Sequence, residues 1–162
     1  MRTRVMVCLL AVLMFAGVAM IASVARAADD PISGTWKVNL AKSKFDPGPA
    51  PKSLTATIKV ENGVETFMSE GEDAAGNPTH TMFTATFGGP DVPVTGIPYA
   101  DTIALKRMGA NQIVGTYKKG GKVTVTVHVV VSADGKSRRL TYDGKNQDGK
   151  AVHDDVVYDK VM

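Results

Sequence analysis

The stretch PISGTWKVNLAKSKFDPGPAPKSLTATIKVENG, Pro31 to Gly63, decides the fold class. Within it, Leu54–Val60 alternates apolar and polar residues with period two, which is typical of a β-strand with one buried face. Asn62 and Gly63 follow, and this pair favours a tight hairpin turn because both of its central positions need positive φ. The stretch therefore predicts two antiparallel strands joined by a short turn.

The same alternation continues to the end of the chain, without an amphipathic helical pattern. Most connections are short and rich in Gly, so consecutive strands are expected to pair as antiparallel hairpins. A meander of nine or ten strands leaves two open edges unless it closes, which favours a barrel. A two-sheet β-sandwich is the alternative, with Ala41–Lys52 and Gly88–Asp101 long enough to cross between sheets. The predicted strands are Thr35–Leu40, Leu54–Val60, Val64–Glu70, Thr79–Phe87, Val92–Thr95, Thr102–Met108, Gln112–Lys118, Lys122–Ser132, Ser137–Asp143 and Ala151–Lys160.

Residues 1–27 are predicted to be a secretory signal peptide. Basic residues open the segment, an apolar run follows, and Ala25-Arg26-Ala27 provides small residues at the positions a signal peptidase reads. Cleavage is expected between Ala27 and Ala28, leaving 28–162 as one domain in the periplasm or the medium. The apolar run is also long enough for a membrane anchor, which is the alternative.

Removing this segment changes the charge of the chain. Three of the 19 Lys and Arg residues and none of the 16 acidic residues lie in 1–27, so the remainder carries 16 of each. A neutral chain gives no argument for a nucleic acid or an anionic membrane as partner. Cys8 is the one cysteine and is removed too, so the mature protein has neither a disulfide nor a thiol nucleophile. The sequence does not indicate an oligomeric state.

Gly34-Thr35-Trp36 on the first strand, followed by a long loop and a meander of hairpins, resembles the lipocalin-like superfamily of small β-barrels. The resemblance implies that Trp36 plugs one end of the barrel and that Ala41–Lys52 lies over the open end. One departure from lipocalins is that the last strand has no Arg to cover Trp36, with only Lys160 near its end.

The run GTWKVNLAKSKF, Gly34–Phe45, and the Pro-rich segment after it also look like a group of secreted bacterial proteins with no known activity. The three prolines of the Ala41–Lys52 loop exclude a central strand there. The loop is expected to be an ordered, irregular cover, with Phe45 as its apolar anchor against the barrel.

The sequence indicates no catalytic, cofactor or metal site. It has no nucleophile elbow, phosphate loop or zinc-type histidine pair. His80, His128 and His153 each share a strand face with polar residues and are expected to point outward on separate strands, which is a poor arrangement for metal ligation.

Several charged residues share the predicted inner face with apolar ones. Arg107 follows Ile103 and Leu105 at the same parity, and a charge inside a barrel is costly unless it is paired or hydrated. These residues indicate either a polar-lined cavity that holds a ligand or a solvated rim, and strand-end positions favour the rim for Glu70 and Arg107. The candidate ligand-binding residues are Arg107, Arg138, Tyr142, Asp154 and Glu70.

The last two strands are predicted to pair with Leu140 opposite Val152, which places Arg138 opposite Asp154 inside the barrel. The alternative register puts Leu140 opposite Asp154. The function favoured is binding of a small, partly apolar molecule. The alternatives are a structural envelope protein with a filled barrel and, third, a barrel enzyme using Asp154 and Arg138.

Overall fold

A computed structural model describes residues 30–161, so the predicted signal peptide lies outside the described residues. Within this range the secondary structure is ten strands and one short 3₁₀ turn, Leu40–Lys42, and no helix is long and apolar enough to cross a membrane. The strands are β1 Gly34–Val38, β2 Ser53–Glu61, β3 Val64–Glu72, β4 Pro78–Thr86, β5 Val92–Pro93, β6 Thr102–Gly109, β7 Gln112–Lys119, β8 Lys122–Val131, β9 Ser137–Lys145 and β10 Ala151–Val161.

All ten strands form one antiparallel sheet in the order β4-β3-β2-β1-β10-β9-β8-β7-β6-β5. β1 pairs with both β2 and β10, which joins the two ends of the meander. The predicted all-β barrel is therefore confirmed, and one continuous sheet replaces the two sheets of the sandwich alternative.

The barrel closes along a seam between β4 and the β5–β6 region. Met82 and Thr95 exchange two backbone hydrogen bonds, of 3.4 and 3.1 Å. Gly88 donates to the carbonyl of Leu105 at 2.7 Å. The other neighbouring strands, apart from the two-residue β5, share full ladders, so this seam is the least extensively paired line of the wall.

The Asn62-Gly63 turn has φ of 51° and 77°, as its residue types predict. A two-residue turn fixes the register of the strands on either side, and here it pairs Val60 with Glu65 and Ile58 with Phe67. Cross-strand partners lie on the same face of a sheet, so β3 turns Glu65, Phe67 and Ser69 inward. Phe67 stacks on Phe83 of β4 with ring centroids 4.9 Å apart.

One end of the barrel is closed by the segment before β1. Ile32 is buried there, and its carbonyl accepts a hydrogen bond from Trp36 Nε1 at 3.1 Å. Asp30 forms a bidentate ion pair with Arg107, with distances of 2.6 and 2.9 Å. Trp36 is fully buried close to this end, and the guanidinium of Arg138 lies 5.6 Å from its ring.

At the opposite end, the 39–52 connection follows the first half of β10. Lys44 and Asp155 exchange two backbone hydrogen bonds of 2.8 Å, and His153 donates to the carbonyl of Asp46. The carboxylate of Asp154 accepts from the amide of Asp46 at 2.8 Å. The connection is therefore an irregular extension of β1 that leads over the open end.

The two halves of the barrel repeat one structural detail. Gly71 of β3 and Gly144 of β9 each lie so close to the neighbouring strand that an added Cβ would overlap its backbone. Next to each glycine an acidic residue contacts a histidine across the hairpin, and the atoms are 3.6 Å apart for Glu70 and His80. The equivalent atoms of Asp143 and His153 are 2.8 Å apart. The sequences of these two segments, GEDAAGNPTH at 71–80 and GKNQDGKAVH at 144–153, share both glycines and the histidine in register, and the structure shows that they form equivalent hairpins.

Candidate functional site

The open end leads into a cavity of about 570 Å³. This volume lies within the range of roughly 300–1,000 Å³ that is usual for small-molecule sites. Three connections form its mouth: the Pro-rich loop through Phe45, Pro49 and Pro51, the β3–β4 turn at 73–75, and the β5–β6 loop at 96–99. The barrel wall below supplies mostly apolar and aromatic side chains. The interior is therefore open on the side where the loops meet.

Phenol side chains supply much of the polar lining. Tyr99, Tyr117, Tyr142 and Tyr158 all face the cavity, and Tyr99 packs edge-on against Tyr117 at 5.9 Å. Burial raises the pKa of Tyr99 to about 12, and it also raises the pKa of Tyr117, Tyr142 and Tyr158 above the ordinary value. These hydroxyl groups therefore stay protonated at neutral pH and act as hydrogen-bond donors and acceptors.

A smaller cleft of about 40 Å³ lies deeper in the barrel. It shares Phe67, Tyr117, Arg138 and Tyr142 with the wall of the large cavity. Glu65 lines the cleft but not the large cavity. Arg138 therefore lies at the junction of the two spaces, and Glu65 lies in the deeper one.

Arg138 is 4% exposed and packs against aromatic rings. Its guanidinium carbon is 4.9 Å from the Tyr158 ring centroid and 5.6 Å from that of Trp36. Lys160 Nζ is 5.0 Å from the same Trp36 ring. The last strand, β10, has no Arg, and the Arg that lies over the Trp36 ring is Arg138 of β9.

The predicted pairing of Arg138 with Asp154 is wrong, and so is the alternative register. β9 and β10 place Leu140 opposite Val156, Tyr142 opposite Asp154 and Arg138 opposite Tyr158. Asp154 lies near the open end, where it lines the large cavity and binds the Asp46 amide. Burial raises the pKa of Asp154 above its ordinary value, and the hydrogen bond from Asp46 opposes this.

The prediction that Glu70 faces inward is also wrong. Its side chain is 69% exposed and lies 3.6 Å from His80 on the outer surface. Arg107 does face the closed end, where it pairs with Asp30 and stacks 5.1 Å from Phe87. It lines neither the cavity nor the cleft. Of the five candidate binding residues, Arg138, Tyr142 and Asp154 line the cavity.

Sequence reasoning missed Glu65, which is 4% exposed. Burial raises its pKa to about 7 from an ordinary 4.5, while Arg138 lowers it, and Asp30 and Arg107 have smaller effects of opposite sign. The length of the turn before β3, which is visible in the sequence, is enough to predict that Glu65 faces inward. Leu54–Val60 faces inward with even parity, and a two-residue turn at 62–63 requires the odd residues of β3 to share that face.

The three histidines are exposed. Among the residues from 30 to 161, no three His, Cys, Asp or Glu side chains are grouped closely enough to hold a metal ion.

The cavity, its loops and the closed meander define a lipocalin-like β-barrel. The chain superimposes on the crystal structure of zebrafish ileal bile acid-binding protein complexed with cholic acid, with a TM-score of 0.53. The match covers 81% of this chain and 99% of that chain at 11% sequence identity, so it establishes the fold alone. No family model matches the chain, and no curated protein matches it in sequence.

Proposed function

We propose that this protein binds one small, partly apolar molecule inside the barrel and is exported to do so. The observation that carries the proposal is the open cavity of about 570 Å³ under the Pro-rich loop. A barrel of this size has room for a single ligand. Burial of the ligand's apolar surface would supply most of the affinity, at roughly 25 cal/mol per Å² before the cost of association.

The lining suits a ligand with an apolar body and a few polar groups. Phe67, Leu54 and Val156 provide apolar walls, while protonated tyrosines offer hydrogen bonds along them. The neighbour in fold, the zebrafish protein, was crystallised with cholic acid, an amphipathic small molecule. This supports a ligand with an apolar body and a few polar groups here, without indicating its charge.

Export is the second part of the proposal. It is supported by the charged start, apolar run and Ala25-Arg26-Ala27 site of residues 1–27. N-terminal sequencing of the protein recovered from a periplasmic fraction should begin at Ala28. Recovery of the chain with Met1 from membranes would contradict export.

A barrel enzyme using Asp154 with Arg138 gains no support, because the two residues lie opposite Tyr142 and Tyr158 respectively. A structural role based on a filled barrel is equally without support, because the interior holds the large cavity.

Titration with the neutral fluorophore N-phenyl-1-naphthylamine tests binding. Ser69 lines the cavity, so the larger side chain of Ser69→Phe should fill part of it and lower the affinity for the probe by at least tenfold. Thr66→Phe, on the exposed face of the same strand, is the matched control and should bind like the parent. Equal weakening in both variants, or no saturable binding by the parent, would refute a ligand site in the barrel.

A further inference from the structure

Two buried polar atoms in the deep cleft have no hydrogen-bond partner within residues 30–161. They are Oε2 of Glu65 and Nε of Arg138, and both residues are 4% exposed. The described ion pairs do not join the two side chains to each other. A buried polar group left without a partner loses its hydration without compensation, so a group that bridges the two would bind favourably.

The cleft between them is large enough for such a group. A volume of about 40 Å³ exceeds the roughly 10–15 Å³ that one water molecule needs. Arg138 also lines the large cavity, so a molecule held there can extend a terminal group past the guanidinium towards Glu65. The guanidinium offers donors only, whereas an ionised carboxylate offers acceptors only.

We propose that the ligand is a neutral, largely apolar molecule whose terminal hydroxyl lies between Glu65 and Arg138. This inference rests on the proposed binding function and names the class of ligand. The hydroxyl oxygen accepts from Arg138, and its proton is donated to the Glu65 carboxylate. When Glu65 is protonated the hydroxyl accepts from it instead, so one group satisfies the site in both states.

Charge disfavours the two obvious alternatives. While Glu65 is ionised, as in the pH 8 test below, a ligand carboxylate accepts from Arg138 but has no proton for Glu65, and it adds a second negative charge beside a buried carboxylate. A ligand ammonium donates to Glu65 but lies against the buried Arg138 cation. The other charged groups that act on Glu65 are Asp30 before β1 and Arg107 on β6, which neutralise each other as an ion pair. A neutral ligand therefore leaves the charge balance of the interior unchanged.

Competition against N-phenyl-1-naphthylamine at pH 8 tests the inference with ligands of one chain length: decanol, decanoate and decylamine. Decanol should displace the probe at a concentration at least tenfold lower than either charged compound. Glu65→Gln should still bind decanol. The ratio of the displacing concentration of decanoate to that of decanol should fall, because the amide removes the negative charge that repels decanoate. Glu70→Gln, exposed on the same strand, should leave the order unchanged.

The possible outcomes separate this inference from the function beneath it. Equal displacement by all three compounds, or preference for decanoate in the parent, would overturn the hydroxyl ligand and leave binding intact. An unchanged selectivity in Glu65→Gln would also overturn it. Failure of the parent to bind the probe would overturn the proposed function itself. Arg138→Met is a second test from the other side of the cleft. It removes the guanidinium donors and should lower the affinity for decanol about tenfold.

Discussion

Replacing Glu65 with Gln should remove a loss of stability that the parent protein suffers as pH rises. Burial raises the pKa of Glu65 to about 7 in the folded chain, against an ordinary value of 4.5. The folded state therefore binds this proton more tightly than the unfolded chain does. That stabilisation is fully present below pH 4.5 and is lost as pH rises through 7.

The size of the effect follows from the two pKa values. Each unit of difference between the folded and unfolded pKa values corresponds to about 1.4 kcal/mol. Between about pH 5 and pH 8 the parent's free energy of unfolding should fall by about 2–3 kcal/mol relative to that of Glu65→Gln. Asp154 also has a raised pKa and contributes with the same sign, but it is present in both proteins and cancels in the comparison.

Urea unfolding at the two pH values measures the difference, with the single, fully buried Trp36 as the fluorescence reporter. For a slope of about 2 kcal/mol per molar urea, the parent's midpoint should drop by roughly 1 M more than the variant's. Glu70→Gln is the exposed control and should follow the parent. Parallel pH profiles for the parent and Glu65→Gln would refute a buried, ionisable Glu65.

Three further predictions concern the loops and the seam. Phe45→Ala should speed amide exchange at His153 and Asp155, whose backbone amides donate to the loop. It should lower the free energy of unfolding by less than the roughly 3–5 kcal/mol that loss of a core Phe costs. Unchanged exchange would show that Phe45 does not anchor the loop. Gly96→Ala should destabilise the fold more than Gly120→Ala. Both glycines have positive φ, but only at Gly96 would an added Cβ overlap a backbone carbonyl, that of His80. Equal losses would contradict the tight seam. In a chain starting at Ala28, oxidised Met82→Cys/Thr95→Cys should release N-phenyl-1-naphthylamine several-fold more slowly than its reduced form, since the cross-link ties β4 to the residue that precedes the 96–99 loop at the mouth of the cavity. Identical release rates would show that this loop need not move for the ligand to leave.

The fold could be predicted because its signals are local. Alternation of side chains, the Asn62-Gly63 turn and short Gly-rich connections each constrain a few neighbouring residues, and together they specify an antiparallel meander. Closure followed from the need to cover two edges, and β1 pairs with β10 as that argument requires. The observed strand ends differ from the predicted ones by up to two residues; β9, for example, continues to Lys145 instead of ending at Asp143.

The site was predicted less well because it depends on register between strands. Val64 and Met68 suggested an apolar face on β3, but both lie on the outer side, and Glu65 takes the inner one. The pairing of Leu140 with Val152 matched two apolar residues, whereas the five-residue 146–150 loop shifts the register and buries Val156 opposite Leu140. A shift of four residues preserves the face of every side chain, so hydrophobic alternation alone could not detect it.

The measurement that tests the central claim most directly is an amide chemical-shift titration of the protein with N-phenyl-1-naphthylamine. We expect one saturable site, with the largest shifts on cavity-lining residues such as Ser69, Tyr142 and Val156. Shifts should be small at Thr66 and Thr84, which lie on the outer face. Saturable shifts confined to the outer face, or none at all, would contradict a ligand-binding barrel.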